Sequence, residues 1–105
     1  MAQNGLSEPA DLLVKVVSIK GKCPVYREGN SFIIKDGFKL TAEQPLCLHF
    51  LSAILPYYVA LSRGISPVSL GLAREGNSAF VQCLDPCDWT GGGTVIFKIT
   101  PLTSP

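Results

Sequence analysis

One stretch of nineteen residues without a charged side chain, residues 44–62, limits the folds open to this chain. At 100° per residue it forms a helix, here over residues 46–63, that is apolar around most of its circumference. Pro56 lies inside it and should kink or divide it, because proline removes one backbone hydrogen bond. A membrane span needs about twenty apolar residues, and the prolines and His49 argue against one. We therefore expect a proline-kinked helix inside a domain that does not enter a membrane.

Segments typical of β-strands lie on both sides of this helix. They are residues 12–19, 31–35, 38–40, 79–84 and 94–100. Asp36-Gly37 is a tight-turn signal that joins the second and third segments into a hairpin. The last segment alternates apolar and polar side chains, as a half-buried antiparallel strand does. The order predicts an α+β fold, with a small, mainly antiparallel sheet of four to five strands and one central helix.

The chain has 105 residues, of which 16% are charged and 47% are hydrophobic. This composition excludes a disordered protein and predicts one domain over residues 12–100. We expect flexible tails at residues 1–11 and 101–105, with Pro101 ending the last strand. A formal net charge of +1 gives no reason to expect nucleic acid as a partner. The N-terminal residues lack the basic and apolar pattern of a secretory signal, which favours the cytoplasm.

The four cysteines are the residues with the most chemistry to offer. In a reducing cytoplasm they are expected to be thiols that pack, bind a metal or take part in redox reactions. Cys23, Cys47 and Cys83 all lie at the ends of predicted elements, so they can converge, with Cys87 as a further member. Such a cluster would suit a ligand, zinc or an iron–sulfur cluster. No Cys-x2-Cys pair, which zinc sites commonly contain, is present.

Three polar residues are candidate neighbours of these thiols. Asp85 and Asp88 flank Cys87 and could form a carboxylate pair, although Asp before proline commonly starts a turn. His49 is the sole histidine, so a site with several histidines cannot form. Helical spacing would point His49 away from Cys47.

Thr41 and Gln44 are expected to cap the helix reciprocally.

Two classes of function are compatible with these residues. The first is a small binding or assembly protein with a cysteine-based metal, ligand or redox site. The alternative is a thiol-dependent enzyme that uses Cys47 or Cys23 as its nucleophile. Cys47 opens the helix and is the better placed of the two, but no basic residue adjoins it in the sequence.

The apolar circumference of the helix also predicts a homo-oligomer, either a dimer or a trimer. A single sheet can cover only one side of the helix, so an apolar flank would remain bare. Each large apolar side chain left in water forgoes about 1.5–3 kcal/mol, and patches of this kind mark interfaces. The expected interface residues are Leu48, Leu55, Val59 and Tyr57. The alternative is that residues 65–72 fold back over the helix and cover this flank within one chain.

Several short motifs resemble those of a family of short, uncharacterised bacterial and archaeal proteins. The matching segments are Gly21-Lys22-Cys23-Pro24, Gly29-Asn30-Ser31-Phe32, Cys47, Cys83 and Val95-Ile96-Phe97. The family pattern is Gly-x-Cys-Pro-x4-Gly-Asp with two further cysteines, and this chain has Asn in place of that Asp. The resemblance spans residues 12–100. It implies that three of the cysteines belong to a shared pattern and that Cys87 is additional, but it carries no activity with it.

Overall fold

A computed structural model describes residues 8–102 of the chain. The elements, in order, are β1 (Asp11–Gly21), β2 (Ser31–Lys35), β3 (Lys39–Thr41), α1 (Leu48–Ile54), α2 (Tyr58–Ser62), β4 (Ala79–Gln82), a 3₁₀ helix (Cys87–Trp89) and β5 (Gly93–Leu102). The strands form one antiparallel sheet in the order β3-β2-β1-β5-β4. The predicted α+β class and the β-β-β-α-β-β order are confirmed.

The long central pair of β1 and β5 organises the sheet. Their pairing runs from Asp11 opposite Leu102 to Gly21 opposite Gly93, with a bulge between Val16 and Ser18. Strand β5 therefore continues through Pro101, and the prediction that this proline ends the strand was wrong. Strand β4 pairs with β5 only as far as Ile99, so Pro101 lies on a locally free edge, where its missing N–H is tolerated. Of the predicted tails, residues 1–7 and 103–105 lie outside the described residues.

One face of the sheet carries the core. Leu12, Val14 and Val16 of β1 alternate with outward-facing residues and are buried. Phe97 and Ile99 of β5 extend this apolar surface, and both helices pack on it. The residues that the helices contribute to the core are Phe50, Ile54 and Leu61. The rings of Phe50 and Phe97 lie 4.2 Å apart between their centroids, which fixes α1 over the centre of the sheet.

The uncharged segment forms two short helices because Pro56 divides it. Helix α1 ends at Ile54 and α2 begins at Tyr58. The N-terminal cap is Cys47, so the predicted cap by Thr41 was wrong. Thr41 belongs instead to β3, because it pairs with Ile33 in the hairpin. Its hydroxyl donates to the Ile33 carbonyl at 3.2 Å. No helix within residues 8–102 is long and apolar enough to cross a membrane.

An apolar surface remains uncovered on the outer side of the two helices. Leu48, Leu55 and Val59 are between 55% and 74% exposed, whereas Tyr57 is half-buried against the core. Residues 65–72 form turns. They do not cover the three exposed side chains, which we name the helix flank.

Candidate functional site

Three cysteines from distant parts of the chain line one cleft of about 170 Å³. They are Cys23, Cys47 and Cys83, and we name the space between them the thiol cleft. Tyr26, His49 and Asp85 also line it. Its apolar walls are Val25, Phe50 and Val95. Four segments that are far apart in sequence therefore meet around a single concave surface.

The topology of the sheet explains why these segments meet. Cys23 follows the end of β1, whose last residue pairs with Gly93 at the start of β5. Cys83 follows the end of β4, and its N–H donates to the Val95 carbonyl at 2.9 Å. Both thiols therefore stand beside the first residues of β5. Helix α1, which packs over the sheet, brings Cys47 to the same end.

Tyr26 joins two of the thiol-bearing segments. Its side chain is 3% exposed, and its ring meets Phe97 edge-on at 5.4 Å between centroids. The hydroxyl oxygen accepts the Cys47 N–H at 2.8 Å, and the Tyr26 N–H donates to the sulfur of Cys23 at 3.3 Å. Burial raises the pKa of Tyr26, so the phenol keeps its proton at neutral pH.

The proton of that phenol is available to a ligand. A tyrosine hydroxyl can donate one hydrogen bond in addition to those it accepts. Among residues 8–102, no protein acceptor lies within hydrogen-bond distance of the Tyr26 O–H. A buried donor without a partner is costly. A molecule in the thiol cleft that carries an acceptor would satisfy it.

The three thiols of the cleft differ in their surroundings. Cys83 is buried, and its sulfur accepts the Val95 N–H at 3.3 Å and lies 3.6 Å from the Gly93 carbonyl oxygen, to which it donates. Cys23 and Cys47 are half-buried. In the described part of the chain, the sulfur of Cys47 makes no hydrogen bond. Cys47 is therefore the thiol with the fewest competing contacts.

Cys87 stands apart from the thiol cleft. Its backbone has a φ of +45°, and its thiol lies 3.4 Å from the Lys20 carbonyl oxygen and 3.5 Å from that of Gly92. It thus anchors the 3₁₀ helix to the paired ends of β1 and β5. Within residues 8–102, no group of three or more His, Cys, Asp or Glu side chains is arranged to hold a metal ion.

The candidate carboxylates do not form a pair. Asp85 accepts the Cys87 N–H at 2.9 Å and also accepts the Thr90 hydroxyl, so it organises the turn that begins with it. The Thr90 hydroxyl, followed by the Cys87 N–H, lowers the pKa of Asp85. Asp88 instead pairs with Lys20 at 2.9 Å on the surface.

His49 and Cys47 line the same cleft, although helical spacing had predicted that they point apart. The reason is that Cys47 precedes the helix and has an extended backbone, with φ −88° and ψ 131°. His49 is exposed and lies close enough to Asp85 to contribute to lowering the pKa of that carboxyl group.

Tyr26 is the site residue that the sequence did not indicate. Its contact with Cys47 joins positions 21 residues apart, and no local pattern reports such a contact. A weak signal is its position three residues after Cys23, because a large aromatic residue in a short polar loop needs something to pack against.

No protein-family model matches this chain, and no curated protein or solved structure is significantly similar to it. Its function has to be inferred from the chemistry of the thiol cleft and from its exposed surfaces. The cleft offers three thiols and a buried phenol donor. His49 and Asp85 add an imidazole and a carboxylate.

Proposed function

We propose that this chain is a small cytoplasmic binding and assembly protein that holds a small molecule in the thiol cleft. The observation that carries the proposal is the meeting of Cys23, Cys47 and Cys83 around one cleft beside the unpartnered donor of Tyr26. At about 170 Å³, the cleft is smaller than the roughly 300–1,000 Å³ of drug-sized ligand sites, so its ligand must be a very small molecule. All four cysteines are free thiols, which suits a reducing compartment.

The lining defines the class of ligand. Val25, Phe50 and Val95 favour an apolar body, and the Tyr26 hydroxyl favours one hydrogen-bond acceptor such as a carbonyl group. The thiols add polarizable contacts. Within residues 8–102, no three possible metal ligands are grouped so that they could hold an ion. Elemental analysis of anaerobically purified protein tests directly whether zinc or an iron–sulfur cluster is bound.

A fragment screen tests the ligand proposal. We expect small apolar carbonyl compounds, detected by ligand-observed NMR, to bind wild-type protein and to lose binding after iodoacetamide modifies Cys23 and Cys47. The matched control is the double variant Cys23→Ser/Cys47→Ser, which keeps the cleft open and should still bind after the same treatment. Binding that survives modification of the wild type would place the ligand elsewhere and contradict the proposal.

A thiol-dependent enzyme is the second candidate, and a specific observation supports it. Cys47, His49 and Asp85 line the same cleft, and His49 acts electrostatically on Asp85. A nucleophile, a base and a group that orients the base are the components of thiol catalysis. Thiol titration separates the candidates. A single fast thiol that slows in His49→Ala favours the enzyme, whereas slow labelling at a rate unaffected by His49→Ala favours ligand binding alone.

We further propose that the helix flank joins copies of this chain into a dimer or trimer. Its residues, Leu48, Leu55 and Val59, are exposed positions on α1, on the turn after it and on α2. Burying them would recover the hydrophobic free energy that a monomer forgoes. A closed cyclic assembly would cover the same surface on every copy.

The family resemblance is compatible with the proposed site. It implies that Cys23, Cys47 and Cys83 are shared and that Cys87 is additional, and the same three thiols line the cleft. In the resembling motif, Asn30 closes a turn by accepting the Arg27 N–H at 2.8 Å. This turn needs a side-chain acceptor, which Asn and Asp both provide.

A further inference from the structure

The face of the sheet opposite the helices has a distinct pattern of side chains. Because side chains alternate along a strand, the residues between the buried positions of β1 and β5 face away from the core. This surface, the open sheet face, includes the apolar and basic residues Leu13, Lys15, Ile33, Phe80, Ile96 and Lys98 and the polar residues Ser18, Ser31, Gln82 and Thr100. Both helices pack against the other side. The open sheet face is therefore available to a partner.

Two lysines occupy the centre of this face. Lys15 and Lys98 lie directly opposite each other on β1 and β5, and both are exposed. The ion pairs in the described part of the chain are Lys20 with Asp88 and Lys39 with Asp36. Within residues 8–102, neither central lysine therefore has an acidic partner.

This arrangement breaks a rule of sheet stability. Like charges directly opposite each other on paired strands destabilise the pairing. Proteins violate such local rules chiefly where function requires it. An incoming negative charge would relieve the repulsion between Lys15 and Lys98, which makes the centre of the open sheet face complementary to a carboxylate.

The rows on either side of the lysines contain both apolar and polar side chains. Leu13 lies between Ile33 and Thr100 in one row, and Ile96 lies between Ser18 and Gln82 in the other. Rows on one face of a sheet are about 6.8 Å apart, twice the rise per residue. Phe80, which is 45% exposed, stands beside Lys98. Each of the rows beside the lysines thus offers at least one aliphatic side chain, Leu13 and Ile33 in one and Ile96 in the other.

We propose that the open sheet face docks an extended acidic segment of a partner protein. Such a segment presents alternate side chains at the same spacing of about 6.8 Å. A sequence with an apolar residue, a carboxylate and an apolar residue at positions i, i+2 and i+4 would match the three rows. Arg74 and Glu75 lie beside Phe80 at the margin, and their opposite charges leave the basic character to the central lysines.

Other occupants fit this face less well. A second copy packed about a two-fold axis would bring Lys15 and Lys98 towards the same pair on its partner, which like-charge repulsion opposes. Single-stranded nucleic acid stacks its bases on aromatic side chains, and Phe80 is the one aromatic residue among the strand residues that face this side. The aliphatic rows instead fit protein side chains.

Binding to defined peptides tests the proposal. We expect a peptide with leucine, glutamate and leucine at alternate positions to bind and to shift the amide NMR signals of β1 and β5. The same peptide with lysine in place of glutamate should not bind. Lys98→Glu should weaken binding of the acidic peptide at least about tenfold. The same substitution should raise the free energy of unfolding, because the new carboxylate lies opposite Lys15. The matched control, Lys22→Glu, changes an exposed lysine outside the three rows.

Each alternative result is informative. Absence of binding by the acidic peptide would overturn the proposal, as would equal binding by Lys98→Glu. The acidic peptide could fail to bind while an oligothymidylate or phosphatidylserine vesicles bind saturably and lose that binding in Lys98→Glu. This result would show that the partner of the open sheet face is a nucleic acid or an anionic membrane instead of a protein. Loss of self-association in Lys98→Glu would show that a second copy covers this face.

Discussion

A single tyrosine connects the two segments that carry the half-buried thiols of the cleft. Tyr26 accepts the Cys47 N–H and holds the Cys23 sulfur through its own backbone. Its burial raises the pKa of the phenol, which keeps the donor proton in place. Tyr26 is therefore the residue that ties the Cys23 and Cys47 segments of the thiol cleft together.

Removal of the Tyr26 hydroxyl should therefore destabilise the fold. Tyr26→Phe leaves the Cys47 N–H without its acceptor, and a partly buried donor without a partner costs about 1–3 kcal/mol. Urea unfolding measures this loss. The control is Tyr57→Phe, because within residues 8–102 the Tyr57 hydroxyl makes no hydrogen bond. Equal stability of the two variants would contradict the assigned role of Tyr26.

Asp85 should contribute to the pH dependence of stability. Hydrogen bonds from the Thr90 hydroxyl and the Cys87 N–H lower the pKa of this carboxyl group in the folded state. A lowered folded-state pKa adds stability above the unfolded-state pKa of about 3.9, and this stability is lost as pH falls through the folded-state value. Between about pH 5 and pH 2, the urea midpoint of Asp85→Asn should fall less than that of the wild type. Glu43→Gln, at an exposed position, should behave as the wild type. If the urea midpoint of Asp85→Asn fell with pH as much as that of the wild type, Asp85 would not have this role.

The elements show which features the sequence could predict. Alternating side chains in residues 94–100 and the Asp36-Gly37 turn identified the strands, because local periodicity reports burial on one face. The division of the helix at Pro56 also has a local cause, because proline removes one backbone hydrogen bond. The start of α1 was not predictable from the sequence. Thr41, the expected cap, pairs with Ile33 as part of β3 and therefore cannot cap the helix.

The candidate site was only partly predictable for the same reason. Cys23, Cys47 and Cys83 could be placed at the ends of elements, and so on one cleft, from the order of the elements. Their separation from Cys87 depends on the left-handed backbone of that residue, which no pattern reports. The partner of Tyr26 likewise depends on tertiary contacts.

The contact between the 3₁₀ helix and the end of β1 should be sensitive to one added methyl group. Gly21 has a φ of +82°, and a Cβ there would stand 2.6 Å from the Cys87 sulfur and would also overlap the Gly92 carbonyl oxygen. Gly21→Ala should lower the unfolding free energy by more than the roughly 1–3 kcal/mol of backbone strain alone.

Gly76→Ala is the matched control for this prediction. Gly76 has a φ of +77°, but a Cβ there meets no atom within 4 Å. It should therefore show the backbone cost without the steric one. Equal destabilisation of the two variants in urea would mean that Cys87 does not hold the 3₁₀ helix against β1.

At the scale of the whole molecule, the helices cover one face of the sheet and leave two surfaces for partners. The helix flank is apolar and is the surface proposed for self-association. The open sheet face, whose two central lysines have no acidic partner within residues 8–102, is the surface proposed for an acidic segment. The thiol cleft lies between the end of the sheet and α1. The three proposed interactions would therefore use separate places.

Self-association should depend on the helix flank. We expect light scattering at micromolar concentration to give a dimer or trimer of the 11.2 kDa chain, and Leu55→Glu to give a monomer because it places a charge in the interface. Leu84→Glu is the control, since Leu84 is also exposed, at 55%, but lies outside the flank. A wild-type mass of one chain would contradict the interface.

The accessibility of individual thiols tests most directly whether the cleft is a shared site. Iodoacetamide labelling of native protein, followed by peptide mass spectrometry, gives one rate for each cysteine. We predict that the half-buried thiols of Cys23 and Cys47 react first, and that the buried thiols of Cys83 and Cys87 react only on unfolding. Modification of Cys47 should also slow Cys23, because its carbamidomethyl group enters the cleft that both thiols line. An unchanged rate at Cys23, or a Cys87 that reacts as fast as Cys47, would contradict the account.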